Sequence, residues 1–78
     1  MQRTFVRVAM MRVLDLVVGD VVNREPGASA GWFEVEEIRR LPNGEISVTN
    51  TTCRASVIGA PYDMVGVQMT KVLEHASG

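Results

Sequence analysis

A chain of 78 residues with a formal net charge of -1 is the size of one small domain. It is 46% apolar and 22% charged, an ordinary globular balance that lacks the strong basic excess of an obligate polyanion binder. No apolar run approaches the roughly 18–20 residues needed to cross a membrane, so no membrane partner is expected.

Residues 4–10 alternate, with Phe5, Arg7 and Ala9 on one side and Val6, Val8 and Met10 on the other, which predicts a half-buried first strand. Residues 12–18 continue in an extended or loosely turning form, within which Leu14-Asp15-Leu16-Val17-Val18 reads as a strand, although Met10-Met11-Arg12 also fits a short helical turn. Gly19-Asp20 then makes a sharp bend and Val21-Val22 restarts a strand. Residues 23–31 are rich in Gly, Pro and small side chains and form the one obvious loop. Residues 32–41 read as a long strand in which Phe33 and Val35 alternate but Ile38 falls out of phase. A β-bulge near Glu36-Glu37 restores the register and bends the strand. Pro42-Asn43-Gly44 is a hairpin turn, and residues 45–50 return with Ile46 and Val48 inward. Residues 53–58 form a weaker strand, 59–63 a second turn, and 64–72 the closing strand, where Gly66 marks a close backbone approach. Residues 73–78 read as a flexible C-terminal tail.

The expected fold is therefore all-β: five to six short, mostly antiparallel strands in one domain over residues 1–72. Thirteen valines support it, because Val is stiff at its first side-chain torsion and packs well on a pleated surface. A domain of this size buries only about 60% of its unfolded-chain surface, which leaves room for a homodimer to add stability. A lone cysteine, Cys53, excludes an intramolecular disulfide and fits a reducing compartment. The N-terminal alternation lacks the continuous apolar core of a signal peptide, so a cytoplasmic location is expected.

The strand count, the bulged hairpin and the Val-rich core resemble an SH3-like small β-barrel, and Asp15-Leu16-Val17-Val18-Gly19-Asp20-Val21-Val22 resembles the strand entry of such barrels. The same phrase resembles the entry of the self-splicing Hint fold. That chemistry requires a nucleophilic Cys or Ser at the domain start and a Thr-x-x-His block. The chain instead begins Met1-Gln2-Arg3, and Thr51-Thr52-Cys53-Arg54 has no His, so splicing is rejected. The short, Arg-biased, Val-rich chain ending Tyr62-Asp63-Met64-Val65-Gly66-Val67-Gln68 is also similar to small proteins of actinobacterial phages. That resemblance implies an accessory or host-directed binding protein.

No cofactor or metal is expected. Cys53 and His75 are the only soft or imidazole ligands, against the four of a structural zinc site. Cys53 reads as a small core or strand residue. Catalysis is not expected either: the glycines stand singly, without a phosphate-cradling pattern, and Asp15, Asp20 and Glu37 sit at turns and strand ends, where carboxylates cap or face solvent. The leading expectation is a non-catalytic binding module for another protein or for a second copy of itself. Trp32 and Tyr62 are its aromatic anchors and Arg39, Arg40 and Arg54 its polar contacts. The runner-up is nucleic acid, gripped by the same three arginines with Trp32 as a stacking surface. Against it stand Glu34, Glu36, Glu37 and Glu45 on the same hairpin, which predict cross-strand charge pairing. No small-molecule substrate is implied.

Overall fold

The computed structural model describes residues 3–28 and 30–73. Its strands are β1 (Arg3–Arg12), β2 (Val21–Asn23), β3 (Phe33–Glu34), β4 (Glu37–Arg40), β5 (Ile46–Asn50), β6 (Ala55–Gly59) and β7 (Met64–Leu73), with one turn of 3₁₀ helix over Val13–Asp15. The chain is all-β, as its alternation and valine content predict. Among the described residues seven strands form rather than five or six, in two antiparallel sheets ordered β1-β7-β2-β3 and β4-β5-β6. The sheets are not closed on one another, so the architecture is two sheets around a shared core rather than a demonstrated barrel.

That core is assembled from both sheets and their connections. Val22, Phe33, Val65 and Val67 come from the first sheet, Ile46, Val48 and Val57 from the second, and Val13, Leu16 and Val35 from linking segments. The largest fully buried side chains are all valine, namely Val13, Val22, Val35, Val48 and Val65. Branched side chains of uniform size fill the narrow space between two short sheets without long, rotamer-rich groups to immobilise.

Four predicted elements are corrected. Over 12–18 the loosely turning alternative is the one found: the 3₁₀ turn and an irregular segment stand in place of a strand at 14–18. The helical turn falls just after Met10-Met11-Arg12, which belong to β1. It docks backbone to backbone on the 60–63 turn, through Val13 N–H to the Asp63 carbonyl (2.9 Å) and Leu14 N–H to the Pro61 carbonyl (3.0 Å). The bend at Gly19-Asp20 is present: Asp20 N–H closes onto the Val17 carbonyl (3.1 Å) with Gly19 at φ +100°, the positive torsion of a type II turn.

The predicted long strand over 32–41 is two strands in different sheets. Glu36 donates its N–H to the Thr49 carbonyl (2.9 Å) while Glu37 is paired with the same Thr49, so two residues oppose one. That is the bulge predicted from the phase of Ile38. Its bend is strong enough to carry the chain from one sheet to the other. The weak strand placed at 53–58 occupies Ala55–Gly59 instead, and 51–54 is its hairpin turn, with Arg54 in the left-handed region (φ 57°). The predicted tail begins inside β7, since Leu73 is its last residue; residues 74–78, with His75, lie outside the described residues.

The first and last strands dominate the shape. β1 and β7 pair along their full lengths, from Arg3 with Leu73 to Arg12 with Met64, whereas β2 covers β7 only from Gly66 to Gln68. The rows joining Arg3–Arg7 to Met69–Leu73 therefore run on as a two-stranded ribbon of roughly 17 Å at the usual rise per residue. The molecule is correspondingly elongated, 51 × 23 × 21 Å.

Candidate functional site

The pleat of the β1–β7 pair separates two faces. Ala9, Met11, Val65 and Val67 point to the core side. Val8, Met10, Arg12 and Met64 lie on the outer side, where Val8 is 51%, Met10 49% and Met64 50% exposed. Met10 is diagonal to Met64, because Met10 pairs with Gly66 and Arg12 pairs with Met64, so their long side chains are within reach of each other. Tyr62, 70% exposed, extends this stripe beyond the strand end. Arg12 lies over its ring, 5.5 Å from the centroid, and also holds Asp15 with Nε–Oδ2 at 2.8 Å. The hydrogen bond and charge of Asp15 raise the Arg12 pKa further, which keeps the guanidinium charged at every accessible pH. The result is an exposed apolar stripe ending in a cation–aromatic pair, beside an edge strand that has no neighbour on its other side among the described residues.

The remaining predicted contact residues do not join this stripe. Trp32 is half-buried rather than an exposed anchor, and its indole N–H donates to the Ala28 carbonyl (3.3 Å) within the 23–31 loop. Phe33 takes the core position expected of it. The three arginines do not form one patch. Arg39 and Arg40 are consecutive in β4 and therefore face opposite sides, and Arg39 is ion-paired with Glu37. Arg40 shares a row with Ile46 and Gly59, near the Asn43-Gly44 turn, whereas Arg54 precedes Ala55 at the other end of the same sheet. Cys53 is exposed in the 51–54 turn rather than buried in a strand.

Two polar residues organise the fold in ways that the sequence reading did not assign: it placed Asn23 in the loop and Glu36 in cross-strand charge pairing. Asn23 is the buried polar residue of the core region, 6% exposed. Its amide donates to the Ala30 carbonyl (2.9 Å) and its oxygen accepts the Glu25 N–H (2.9 Å), which ties the loop down at both ends. Pro26 then packs directly on Gly66, where any β-carbon would collide with it, so the close approach predicted at that glycine is real. The signal for Asn23 was available: an amide side chain interrupting Val21-Val22 just before a Gly- and Pro-rich loop. Glu36 is the second. Its carboxylate accepts the Thr51 N–H (2.7 Å), the Thr51 hydroxyl (3.1 Å) and the Thr52 hydroxyl (3.0 Å), and these bonds hold its pKa below the usual glutamate value.

Among the described residues, two depressions bear on the site. One of about 400 Å³ opens between β6 and the start of β7, lined by Val13, Arg24, Val57, Asp63 and Val65. Its charged groups have structural tasks: Arg24 donates to the Ile58 carbonyl (2.5 Å), and the Asp63 carboxylate accepts the Ala60 N–H (2.9 Å). The other, about 330 Å³, is a shallow trough on the outer face of β4 and β5, lined by Glu37, Arg39, Ser47 and Thr49. Asp15 and Asp20 are engaged as well, Asp15 by Arg12 and Asp20 by the Val17 N–H (2.9 Å). Among the described residues, no group of three or more His, Cys, Asp or Glu is placed to hold a metal ion, and no helix is long and apolar enough to cross a membrane.

No protein-family model, curated protein or solved structure matches the chain.

Proposed function

We propose that the protein is a non-catalytic binding module that works by protein–protein contact or self-association, its two joined sheets being a half-open version of the SH3-like small barrel. The observation that carries this reading is the exposed stripe Val8, Met10, Met64 and Tyr62 on the outer face of the β1–β7 pair, on a domain too small to leave much apolar surface to water at no loss. Arg12, seated on Tyr62, adds a cationic rim to it. Carboxylates engaged by Arg12, Arg39, Thr51 and Thr52 favour structural over acid–base roles for the acidic residues. A cytoplasmic setting, and service as a phage accessory or host-directed protein, belong to the same reading.

Nucleic-acid binding ranks lower still once Arg39, Arg40 and Arg54 are seen to be dispersed, because a polyanion needs cations converging along one track. The deciding experiment is the solution mass by light scattering over a range of protein concentrations, on material whose 260/280 absorbance ratio has been read. A nucleic-acid-free particle heavier than one chain, reduced by combined Met10→Glu and Met64→Glu substitution, supports the module. Material that carries nucleic acid, released by salt and by Arg39→Ala with Arg40→Ala, overturns it in favour of the runner-up. A clean monomer rules out self-association and leaves only a different protein as partner.

A further inference from the structure

Resting on the self-association arm of that reading, we infer that the partner is a second copy of this chain, added edge to edge along β1 with Val8 on the two-fold axis. β1 stands at the end of its sheet, and all of its pairing, from Arg3 to Arg12, is with β7. Its other edge offers a row of backbone N–H and C=O groups over ten residues. Proteins blunt such an edge with a short strand, a proline, a charged side chain (lysine above all) or a bulge. β1 is long, lacks Pro and Lys, and keeps an unbroken register with β7, so arginine charge is the one such device it carries. Its charges are three arginines, of which Arg12 is already neutralised by Asp15.

Those arginines select the register. In a two-fold antiparallel pair, opposed residues lie on the same face of the sheet, so the axis must pass through a residue rather than between two. An axis at Arg7 sets Arg7 against Arg7 of the second copy, two uncompensated like charges in the middle of the seam. An axis at Val6 or at Ala9 shortens the shared ladder. An axis at Val8 keeps the ladder long and sets no arginine against another: Arg7 opposes Ala9, Arg12 opposes Thr4, and Val8 opposes itself. Val8 is half-exposed on the outer face with Met10 two residues along it, so this register also brings together the two copies' apolar stripes. Pairing of this kind satisfies main-chain groups for their full length and gives an isologous, closed dimer rather than an open fibre.

The test is a charge swap at the axis. Val8→Lys and Val8→Glu each place like charges opposite one another only if residue 8 faces residue 8. Each alone is expected to weaken self-association at least about tenfold by light scattering, and an equimolar mixture to restore it as a one-to-one hetero-pair. Circular dichroism of each variant confirms that the fold is intact, as the half-exposed position of Val8 predicts. In a Cys53→Ser background, Val8→Cys is expected to cross-link with a short bis-maleimide, each thiol adding across one maleimide double bond, while Ile58→Cys, on the competing free edge of β6, is not. Either variant remaining associated on its own, or a mixture that does not recover, overturns the Val8 axis. If the unsubstituted chain is still heavier than one copy, self-association stands and only this interface falls. If it is monomeric at every concentration, self-association falls with it.

Discussion

The β5–β6 hairpin and the β1–β7 pair are both antiparallel two-strand units, and they differ in how completely their polar groups are met. At the β5–β6 turn, Glu36 reaches in from the preceding segment and accepts bonds from Thr51 and Thr52, Asn50 donates to the Glu34 carbonyl (2.7 Å), and Cys53 N–H closes on Asn50 (3.0 Å). At the exposed edge of β6, Arg24 covers the Ile58 carbonyl. The β1–β7 pair has a longer ladder but a bare edge, an apolar outer face and an end that outruns the core. Segments whose bonding is completed internally have a structural role. The bare β1 edge and its apolar outer face are the features on which the proposed binding role rests.

The sharpest way to break that contrast is through the core both units share. Phe33, 7% exposed, is the aromatic residue of the buried cluster, and Phe33→Ala is expected to remove about 3–5 kcal/mol, most of what so small a domain has. Chemical denaturation then finds both units unfolded together; a folded ribbon surviving in the variant argues against one cooperative core. Next in size are the two changes that free the 23–31 loop. Asn23→Ala strands the Glu25 N–H and the Ala30 carbonyl, at about 1–3 kcal/mol. Gly66→Ala drives a methyl group into Pro26, at about 1–3 kcal/mol from overpacking. Denaturant midpoints check both. A Gly66→Ala variant as stable as the parent means that Pro26 does not rest on β7.

How much of this was readable follows the range of each interaction. The period-two alternation of β1, the Asn43-Gly44 turn, the bend at Gly19 and the bulge at Glu36-Glu37 are written within a few residues, and each is found in place. Local pattern failed where a distant segment decides. Ile38 signalled a bulge, but nothing near it says that the strand changes sheets there. Leu14 to Val18 has every local mark of a strand, yet the 60–63 turn claims the backbone of Val13 and Leu14. The predicted arginine patch failed for a simpler reason: neighbours in sequence on a strand face opposite ways, and a hairpin sends Arg54 to the far end from Arg40. The bonding of Glu36 to Thr51 and Thr52 and the pairing of the first strand with the last are both non-local. The candidate surface itself was half legible. Tyr62 belongs to it, but Trp32 turned into the loop.

A smaller effect separates the two units by pH. Because hydrogen bonds from Thr51 and Thr52 lower the folded-state pKa of Glu36, its stabilising contribution is present above the unfolded-state value and is lost as pH falls through the folded-state value. Glu36→Gln is therefore expected to lower Tm at neutral pH, with the gap to the parent closing as both are acidified below the ordinary glutamate range. A gap that is constant with pH means that the carboxylate charge is not what organises the turn.

The smallest expected change in stability is the most telling for the open unit. Met10 and Met64 are half-exposed on the outer face and touch no buried polar group, so Met10→Thr and Met64→Thr belong with surface substitutions that move folding stability by no more than about 0.5 kcal/mol. Thr is also at home in a strand, which removes propensity as a confounding cause. If the stripe is a partner's surface, the same pair of changes reduces association while the denaturation curve of the dilute protein stays where it was. If instead the curve moves by more than 1 kcal/mol, the methionines are packing against something within their own chain. The β1–β7 unit is then as internally completed as the β5–β6 hairpin, and the stripe loses its claim to be a binding surface.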